Sequence, residues 1–335
     1  MRVLVTNDDG VTAPGLAALT RALVKWADVA TASGGPRHEI VVVAPSSNFS
    51  GAGAAVGSVS DGTKILYHRA KVSGAEGVEA FGLDASPALS VIAGALGAVG
   101  PKPDLVLSGI NHGVNVGRSI LHSGTVGAAL TASQLGISAL AVSLRSGTTP
   151  EPWESAAELA VSLIPLLGRA PARTVLNLNV PALPLHEIRG LRWARVSGAG
   201  LIKAASGAGV FVAPNPPEME GPAAAEGAHA FMEGGPGQEG EIVLTVGSPF
   251  AGGNGGGGRG GGRGGRQGDG EGEGQGAGKG AGEESEDPTE DASLVAHGYA
   301  ALTALRGPRA DDDRALFALL DEGLAEAVAP LGLAG

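Results

Sequence analysis

The sequence contains no cysteine. This absence excludes disulfide bonds, thiolate zinc sites and cysteine nucleophiles, and it fits a reducing compartment. Aromatic residues make up 3% of the chain, and 23 basic residues face 34 acidic ones, which gives a formal net charge of −11. A net acidic protein is a poor general binder of polyanions, so any chemistry on phosphate groups would need a local site, for which we expect a metal ion.

Long apolar runs and targeting signals are also lacking. No apolar run reaches 18 residues, the length from which a membrane-spanning helix is suspected. Met1 leads directly into the strand-like segment 2–6 rather than into the charged and apolar regions of a signal or transit peptide. We therefore expect no membrane partner and a cytoplasmic location, with an organelle as the alternative.

Glycine, in contrast, is abundant, with 58 of 335 residues. Nineteen of these glycines lie within 252–282, and the stretch 252–291 holds only two apolar residues, Ala277 and Ala281. The glycines keep no three-residue period, which excludes collagen. We predict that 252–291 is a disordered insert, rich in glycine and then acidic, and that the remaining composition is globular.

Strand-like and helix-like patterns alternate over the first 180 residues. The predicted strands are Val3–Thr6, Glu39–Ala44, Ile65–His68, Val78–Phe81, Asp104–Leu107, Ser138–Ser143 and Thr174–Asn179. The predicted helices run from about Gly15 to Trp26 and over Pro87–Val99, Thr125–Leu135 and Pro152–Leu167. Continuous apolar strands between helices are typical of a mostly parallel sheet covered on both faces, so we predict a three-layer α/β core.

The pattern weakens after Pro181. Later strands are predicted at Leu191–Val196, Val210–Val212, Glu241–Val246 and Leu294–Leu305, as parts of a less regular, partly antiparallel extension. An amphipathic helix is predicted over Asp312–Val328, started by acidic residues that suit a helix N-terminus. We divide the chain into a catalytic core (1–200), an irregular β-rich extension (201–251), the insert (252–291), and the returning strand with the C-terminal helix (292–335).

Polar residues collect where three predicted strands end. They are Asn7, Asp8 and Asp9; Ser46, Ser47, Asn48 and Ser50; and Ser108, Asn111 and Asn115. Ligands of parallel α/β sheets sit beyond the carboxyl ends of the strands. Oxygen donors without cysteine favour Mg²⁺ or Mn²⁺ over zinc. Taken alone, Asp8-Asp9-Gly10 is more typical of a turn with a helix cap, but the convergence of three strand ends favours a metal site.

A second feature is Ser123-Gly124-Thr125, which opens a helix of small residues. The free backbone N–H groups of a helix N-terminus, with the helix dipole, can bind a phosphate. The alternative is an ordinary N-cap by Ser or Thr. A hard metal ion and an anion site together suggest phosphoryl chemistry.

Several other known binding and catalytic motifs are absent from the sequence. Gly109, Gly113 and Gly117 are spaced by four and do not form a dinucleotide-binding fingerprint, and neither a Walker A sequence nor a Gly-x-Ser-x-Gly elbow occurs. His112 and His122 lie in the predicted loop 108–124, where they could contact a substrate or leaving group, although loop histidines are more often merely solvated.

These motifs, in this order, resemble the SurE family of survival-protein nucleotidases. The resemblance covers roughly 1–200 and 291–330. It is carried by the stretches 3–15, 42–52, 108–117 and 123–129, with Asn177-Leu178-Asn179-Val180-Pro181 and Gly298-Tyr299 as later matches. Departures occur at 46–49, 82–87 and 118–122, where the family usually has other residues, and these put the pocket for the base or ribose in question.

The resemblance implies a Rossmann-like fold and a metal-dependent phosphatase that acts on nucleoside 5′- and 3′-monophosphates, and in some members on short polyphosphate. It further implies one divalent cation, Mg²⁺ or Mn²⁺, and a homodimer or homotetramer formed through the C-terminal extension. Carried over by position, the metal ligands are Asp8, Asp9, Ser50 and Asn111, and the phosphate-binding residues are Asn115, Ser123, Gly124 and Thr125. We expect Asp8 and Asp9 to be the catalytic pair.

Two other hypotheses remain at this stage. The insert could bind RNA through Arg259-Gly260-Gly261 and Arg263-Gly264-Gly265, since Arg-Gly-Gly units occur in disordered RNA binders. The absence of interleaved aromatics and the acidic run 283–287 favour a flexible linker instead. The third hypothesis is a non-catalytic protein that binds nucleotide or metal, motivated by the altered segment 82–87.

Overall fold

The computed structural model describes residues 1–60, 62–198, 229–233, 239–245, 287–305, 323–324 and 326–333. The predicted strand Val210–Val212 and residues 252–286 of the predicted insert lie outside the described residues. Of the helix predicted over Asp312–Val328, only the last few residues are described, and these are helical.

A mixed sheet with helices on both faces organises the chain, as the sequence predicts. The strands are β1 (Arg2–Thr6), β2 (Glu39–Pro45), β3 (Thr63–Ala70), β4 (Glu79–Leu83), β5 (Leu105–His112), β6 (Ser138–Leu144), β7 (Val175–Val180), β8 (Leu191–Trp193), β9 (His229–Glu233), β10 (Glu239–Thr245) and β11 (Ala300–Leu305). The helices are α1 (Pro14–Ala32), α2 (Pro87–Ala95), α3 (Gly124–Gln134), α4 (Trp153–Ser162), α5 (Ile164–Arg169) and α6 (Asp291–Ala296).

The centre of the sheet is parallel. The strand order is β8-β11-β7-β6-β5-β1-β2-β4-β3-β10-β9, and the run from β4 through β2, β1, β5 and β6 to β7 is parallel throughout. The chain moves outward in one direction from β1 to β2 and in the other direction from β5 to β6. The switch point of this doubly wound sheet therefore lies between β1 and β5, where ligands of such folds bind.

Both faces of β1 are buried, which explains its continuous apolar sequence. Val3 and Val5 pack on the face covered by α1 and α4, whereas Leu4 packs on the other face with residues of α2 and α3. All three side chains have no exposed surface. The helix α1 continues six residues beyond its predicted end at Trp26, and Leu16, Leu19 and Leu23 form its buried stripe.

Antiparallel pairing is confined to the two edges. On one side β4, β3, β10 and β9 pair antiparallel in succession. On the other side β11 pairs antiparallel with β7 and parallel with β8. Segments from the C-terminal half of the chain thus extend both edges of the core sheet. None of the helices among the described ranges is long and apolar enough to cross a membrane.

Several sequence predictions are wrong in detail: the helix predicted over Pro152–Leu167 is divided into α4 and α5, and the one predicted over Pro87–Val99 ends at Ala95. Two further predictions assign the wrong type of element. The loop predicted over 108–124 is in part β5, which continues to His112 after a register shift between Ser108 and Asn111, and Gly117–His122 form a 3-10 helix. The strand predicted over Leu294–Leu305 is instead α6 followed by β11. Gly298, at φ +83°, separates these two elements. The boundary was not predicted because a short buried helix and a strand have similar apolar compositions.

Residues 287–291 of the predicted disordered insert are ordered in the fold. Arg195 and Glu290 form an isolated parallel bridge, Asp287 forms an ion pair with Arg195, and Asp291 is fully buried. The acidic composition of this stretch suggested that it is solvated, but its last aspartate, Asp291, accepts hydrogen bonds from backbone N–H groups inside the fold.

Candidate metal and phosphate site

The loop after β1 is fixed by Asn7. Its side chain donates to the carbonyl oxygen of Gly10 at 2.9 Å and accepts from the N–H of Gly10 at 3.2 Å. Gly10 has φ +104°, a left-handed conformation that glycine adopts without strain. A Cβ there would also lie 3.4 Å from the backbone of Ser47. This closed loop presents Asp8 and Asp9 at the switch point.

The carboxylate of Asp8 lies at the N-terminus of α3. The hydroxyl of Thr125 donates to Asp8 Oδ1 at 2.5 Å, and the backbone N–H groups of Gly124 and Thr125 also bind the carboxylate. A Cβ on Gly124 would lie 2.7 Å from Cβ and 2.9 Å from Oδ2 of Asp8, so only glycine fits. Burial raises the pKa of Asp8, which is 2% exposed, while these hydrogen bonds act in the opposite direction.

The structure therefore places one of the chain's own carboxylates at the helix end that the sequence predicts as a phosphate site. Ser123 acts as the N-cap, because its Oγ accepts from the N–H of Val126 at 3.1 Å. The alternative N-cap interpretation thus holds for Ser123. A phosphate bound by Ser123, Gly124 and Thr125 would have to lie beside Asp8 and share its donors.

Asp9 is held by two other strand ends. The backbone N–H of His112 donates to Asp9 Oδ2 at 3.2 Å, and Asn48 Nδ2 donates to Asp9 Oδ1 at 3.3 Å. Burial raises the pKa of Asp9, and the charge of Asp8 raises it further. The structure thus brings the ends of β1, β2 and β5 together around one carboxylate, as the sequence predicts.

Ser50 and Asn111 lie one or two residues from the groups that hold Asp9. The N–H of Ser50 donates to Asn48 Oδ1 at 2.8 Å. Asn111 donates through Nδ2 to the carbonyl oxygen of Gly113 at 2.7 Å, which leaves its Oδ1 available as a ligand. Each of the two predicted neutral ligands therefore lies within two residues of a group that hydrogen-bonds to Asp9.

The donors at this edge fit a hard divalent cation. Two adjacent carboxylates with hydroxyl and amide oxygens are the ligand types that Mg²⁺ and Mn²⁺ prefer. In the described part of the chain, no three Asp, Glu or His side chains lie close enough together to hold a metal ion, so the remaining ligands would be neutral. Thr6 at the end of β1 and its register partner Ser108 within β5 have buried hydroxyl groups that find no hydrogen-bond partner among the described residues, so both hydroxyls remain available for a further polar contact.

Asn115 lies in a buried network that sequence reasoning did not foresee. Its Nδ2 donates to Ser143 Oγ at 2.8 Å, and its N–H donates to Asn179 Oδ1 at 2.7 Å. Its carbonyl oxygen accepts from Asn177 at 2.9 Å and from Asn179 at 3.0 Å. Because one amide hydrogen is already used, a phosphate could be bound only through the other. The two asparagines in the otherwise apolar predicted strand Thr174–Asn179 were the sequence feature that could have indicated this network.

Asp291 is a further residue that the sequence analysis missed. Its carboxylate accepts from the N–H groups of Gly117, Ser197 and Ala292 at 3.0, 3.0 and 2.8 Å. Gly117 begins the 3-10 helix that leads to Ser123. A buried carboxylate from the C-terminal segment therefore supports the loop before α3, across a separation of 174 residues. Its position shortly after the acidic run 283–287 gave no sign of this role.

Comparison with known proteins agrees with this architecture. A SurE nucleotidase of Cronobacter sakazakii, named 5′/3′-nucleotidase SurE, is 40% identical over 197 residues, which are 58% of this chain and 69% of the relative. The protein of Pseudomonas putida strain W619 named 5′-nucleotidase SurE is 41% identical over 198 residues, which are 58% of this chain and 71% of the relative.

A solved structure supports the fold, and a family model identifies the family. The crystal structure of the SurE protein from Aquifex aeolicus superimposes with a TM-score of 0.53 at 24% identity, covering 96% of this chain and 99% of that one, which supports a common fold. The family model described as Survival protein SurE matches residues 3–201, well over half of the chain. This chain belongs to the SurE family.

Proposed function

We propose that this protein is a divalent-metal-dependent phosphomonoesterase that converts nucleoside 5′-monophosphates to nucleoside and phosphate, with 3′-monophosphates and short polyphosphate as further substrates. The observation that carries the proposal is the carboxylate pair at the switch point of the sheet, where Asp8 and Asp9 are each fixed by a different element. The nucleotidase names of relatives at about 40% identity support the same conclusion.

The proposed cofactor is one Mg²⁺ or Mn²⁺ ion held by Asp8, Asp9, Ser50 and Asn111. It would supply electrostatic stabilisation of the phosphate and activation of water. Asp8 is rigid because Thr125 and the start of α3 hold it. Asp9 is less buried than Asp8, so we assign Asp9 the orientation of the attacking water and Asp8 the anchoring of the site.

The proposed phosphate site lies beside Asp8 at the N-terminus of α3. The dipole of this helix favours negative charge there, and Ser123, Gly124 and Thr125 supply N–H and hydroxyl groups. Asn115 would add its second amide hydrogen. Two carboxylates and an incoming phosphate repel one another, which is why the proposal requires the cation.

Assembly into a homodimer or homotetramer through the C-terminal extension stays a proposal from the family resemblance. Size-exclusion chromatography with light scattering measures it directly. A monomer at the concentrations used for activity would contradict it.

The experiment for the proposed function is phosphate release from a panel of nucleoside 5′- and 3′-monophosphates and tripolyphosphate. The protein is assayed with Mn²⁺, with Mg²⁺ and with excess chelator. We expect turnover with a divalent cation and its loss with chelator. The matched control is Asp28→Asn, which changes an exposed aspartate on α1 and should keep full turnover. Equal activity in chelator, or no turnover with either cation, would refute the proposal.

A further inference from the structure

His112 is tied to the candidate site through its backbone only. Its N–H donates to Asp9 Oδ2 at 3.2 Å, and the mechanism proposed above makes no use of its side chain. That side chain is 54% exposed. His112 therefore contacts Asp9 through its backbone and exposes more than half of its side chain to solvent.

The ring of His112 is held in place although it is exposed. Its Nε2 lies 3.1 Å from Glu151 Oε1. The Glu151 side chain is itself only 16% exposed, and its Oε1 also accepts from the N–H of Gly147 at 3.3 Å. A ring whose orientation is fixed before binding loses less conformational entropy when a ligand contacts it. A merely solvated histidine needs no such support.

Trp153 supports the same ring from a second side. Its ring centroid lies 5.9 Å from that of His112, with the planes tilted by 45°. Trp153 is anchored in turn, because its Cζ3 lies 2.9 Å from where a Cβ on Gly15 would be, at the start of α1. One part of the His112 ring thus contacts Glu151 and Trp153, while more than half of the side chain is exposed to solvent.

We infer that His112 is a specificity-determining residue whose ring, held by Glu151 and Trp153, stacks against the base of a nucleoside monophosphate. This inference rests on the proposed function. A nucleotide with its phosphate at Asp8 and Asp9 must direct its nucleoside out of the site, and His112 follows Asn111, a proposed metal ligand, directly in the chain. Stacking on an aromatic ring tolerates every base, because each base has a π-face. The predicted recognition is therefore for a nucleoside over a bare sugar phosphate.

The test compares AMP with ribose 5-phosphate, which carries the same phosphate and sugar but no base. We expect His112→Ala to raise KM for AMP about ten-fold, in the range of a lost base–aromatic stack, with little change in kcat. KM for ribose 5-phosphate should not change. His112→Phe keeps an aromatic face and should restore most of the affinity for AMP, whereas Glu151→Gln should produce a smaller rise.

The matched control is His186→Ala, since His186 is another exposed histidine beside a glutamate, with 81% of its side chain exposed and 3.7 Å from Glu187. It should leave both substrates unaffected. The inference is overturned if His112→Ala changes the two substrates equally or changes neither, or if Phe fails to restore binding. Phe49 also lies at the site, because its backbone N–H donates to the carbonyl oxygen of Asp8 at 2.7 Å. A selective loss for AMP in Phe49→Leu alone would assign the base to the ring of Phe49 instead. A wild-type protein that hydrolyses neither substrate would refute the proposed function itself.

Discussion

The strand ends at the switch point and the C-terminal segment around α6 build the same site in opposite ways. Asp8 and Asp9 lie in a short motif, and the residues that hold them all lie within the first 125 of the chain. Asp291 reaches Gly117 from 174 residues away, and its carboxylate accepts from backbone N–H groups. The first region would supply the chemistry and the second would hold its loop in place, so changes in the two regions should separate activity from stability.

The largest effect is expected for Asp8→Asn. The change keeps the size of the side chain but removes a charge that the proposed cation needs, so kcat should fall by at least about a thousand-fold, as for loss of a central catalytic group. Relief of the buried charge raises stability, whereas loss of one acceptor oxygen for the donors at the start of α3 lowers it, so the melting temperature should change little. A phosphate-release assay measures kcat, and calorimetry measures the melting temperature. A variant with full turnover would show that the chemistry lies elsewhere.

Gly124→Ala is expected to have the second-largest effect on activity. Its Cβ would lie 2.7 Å from Cβ of Asp8, so the carboxylate must shift, and a displacement of this kind costs about a hundred-fold in kcat. The control is Gly168→Ala in α5, where a Cβ meets nothing within 4 Å. Equal turnover in the two variants would mean that the position of Asp8 is not critical.

Asp291→Asn should act mainly on stability. An amide has one acceptor oxygen and cannot serve the N–H groups of Gly117, Ser197 and Ala292 equally well. A buried N–H left unpaired costs about 1–3 kcal/mol, so the melting temperature should fall by several degrees and kcat by less than for Gly124→Ala.

The control for this variant is Asp287→Asn. Asp287 lies in the same segment and forms a partly exposed ion pair with Arg195, a type of pair that contributes about 0–1 kcal/mol. A loss of stability as large as that of Asp291→Asn would show that the segment responds to any change of charge, and would remove the distinction between the two aspartates.

The smallest effect is expected from shortening the chain at its glycine-rich part. Deletion of 252–282 should leave kcat, stability and RNA affinity unchanged, because that stretch has almost no apolar residues with which to contact the core. Deletion of 252–291 also removes Asp291 and should reproduce the instability of Asp291→Asn. A loss of RNA binding in a gel-shift assay of the shorter deletion would favour the RNA-binding hypothesis.

The site is predictable from sequence where neighbours in the chain are also neighbours in space. The buried strand before Asp8 and the parallel pattern place the carboxylates at the sheet edge. The partners of Asp8 at α3 were identified as a helix end that binds phosphate, but the presence of the Asp8 carboxylate at that helix end was not predicted. Sequence alone cannot show that a helix N-terminus receives a carboxylate of the chain itself when that carboxylate lies in a loop more than a hundred residues earlier.

The support of the site is not predictable in this way. Asp291 follows an acidic run, and nothing in its neighbourhood reveals the N–H groups of Gly117 and Ser197 that it meets in the fold. The register shift between Ser108 and Asn111 likewise depends on pairing with β6. Both features are tertiary, since they require strands and loops that are distant in the chain to pack together first.

The central claim is that Asp8 and Asp9 form one divalent-cation site, and calorimetric titration of Mn²⁺ into the substrate-free protein tests it most directly. The wild type should bind one Mn²⁺ per chain, Asp28→Asn should bind it equally well, and Asp8→Asn and Asp9→Asn should each lose most of the affinity. Unchanged Mn²⁺ binding in both of these last variants would contradict the account.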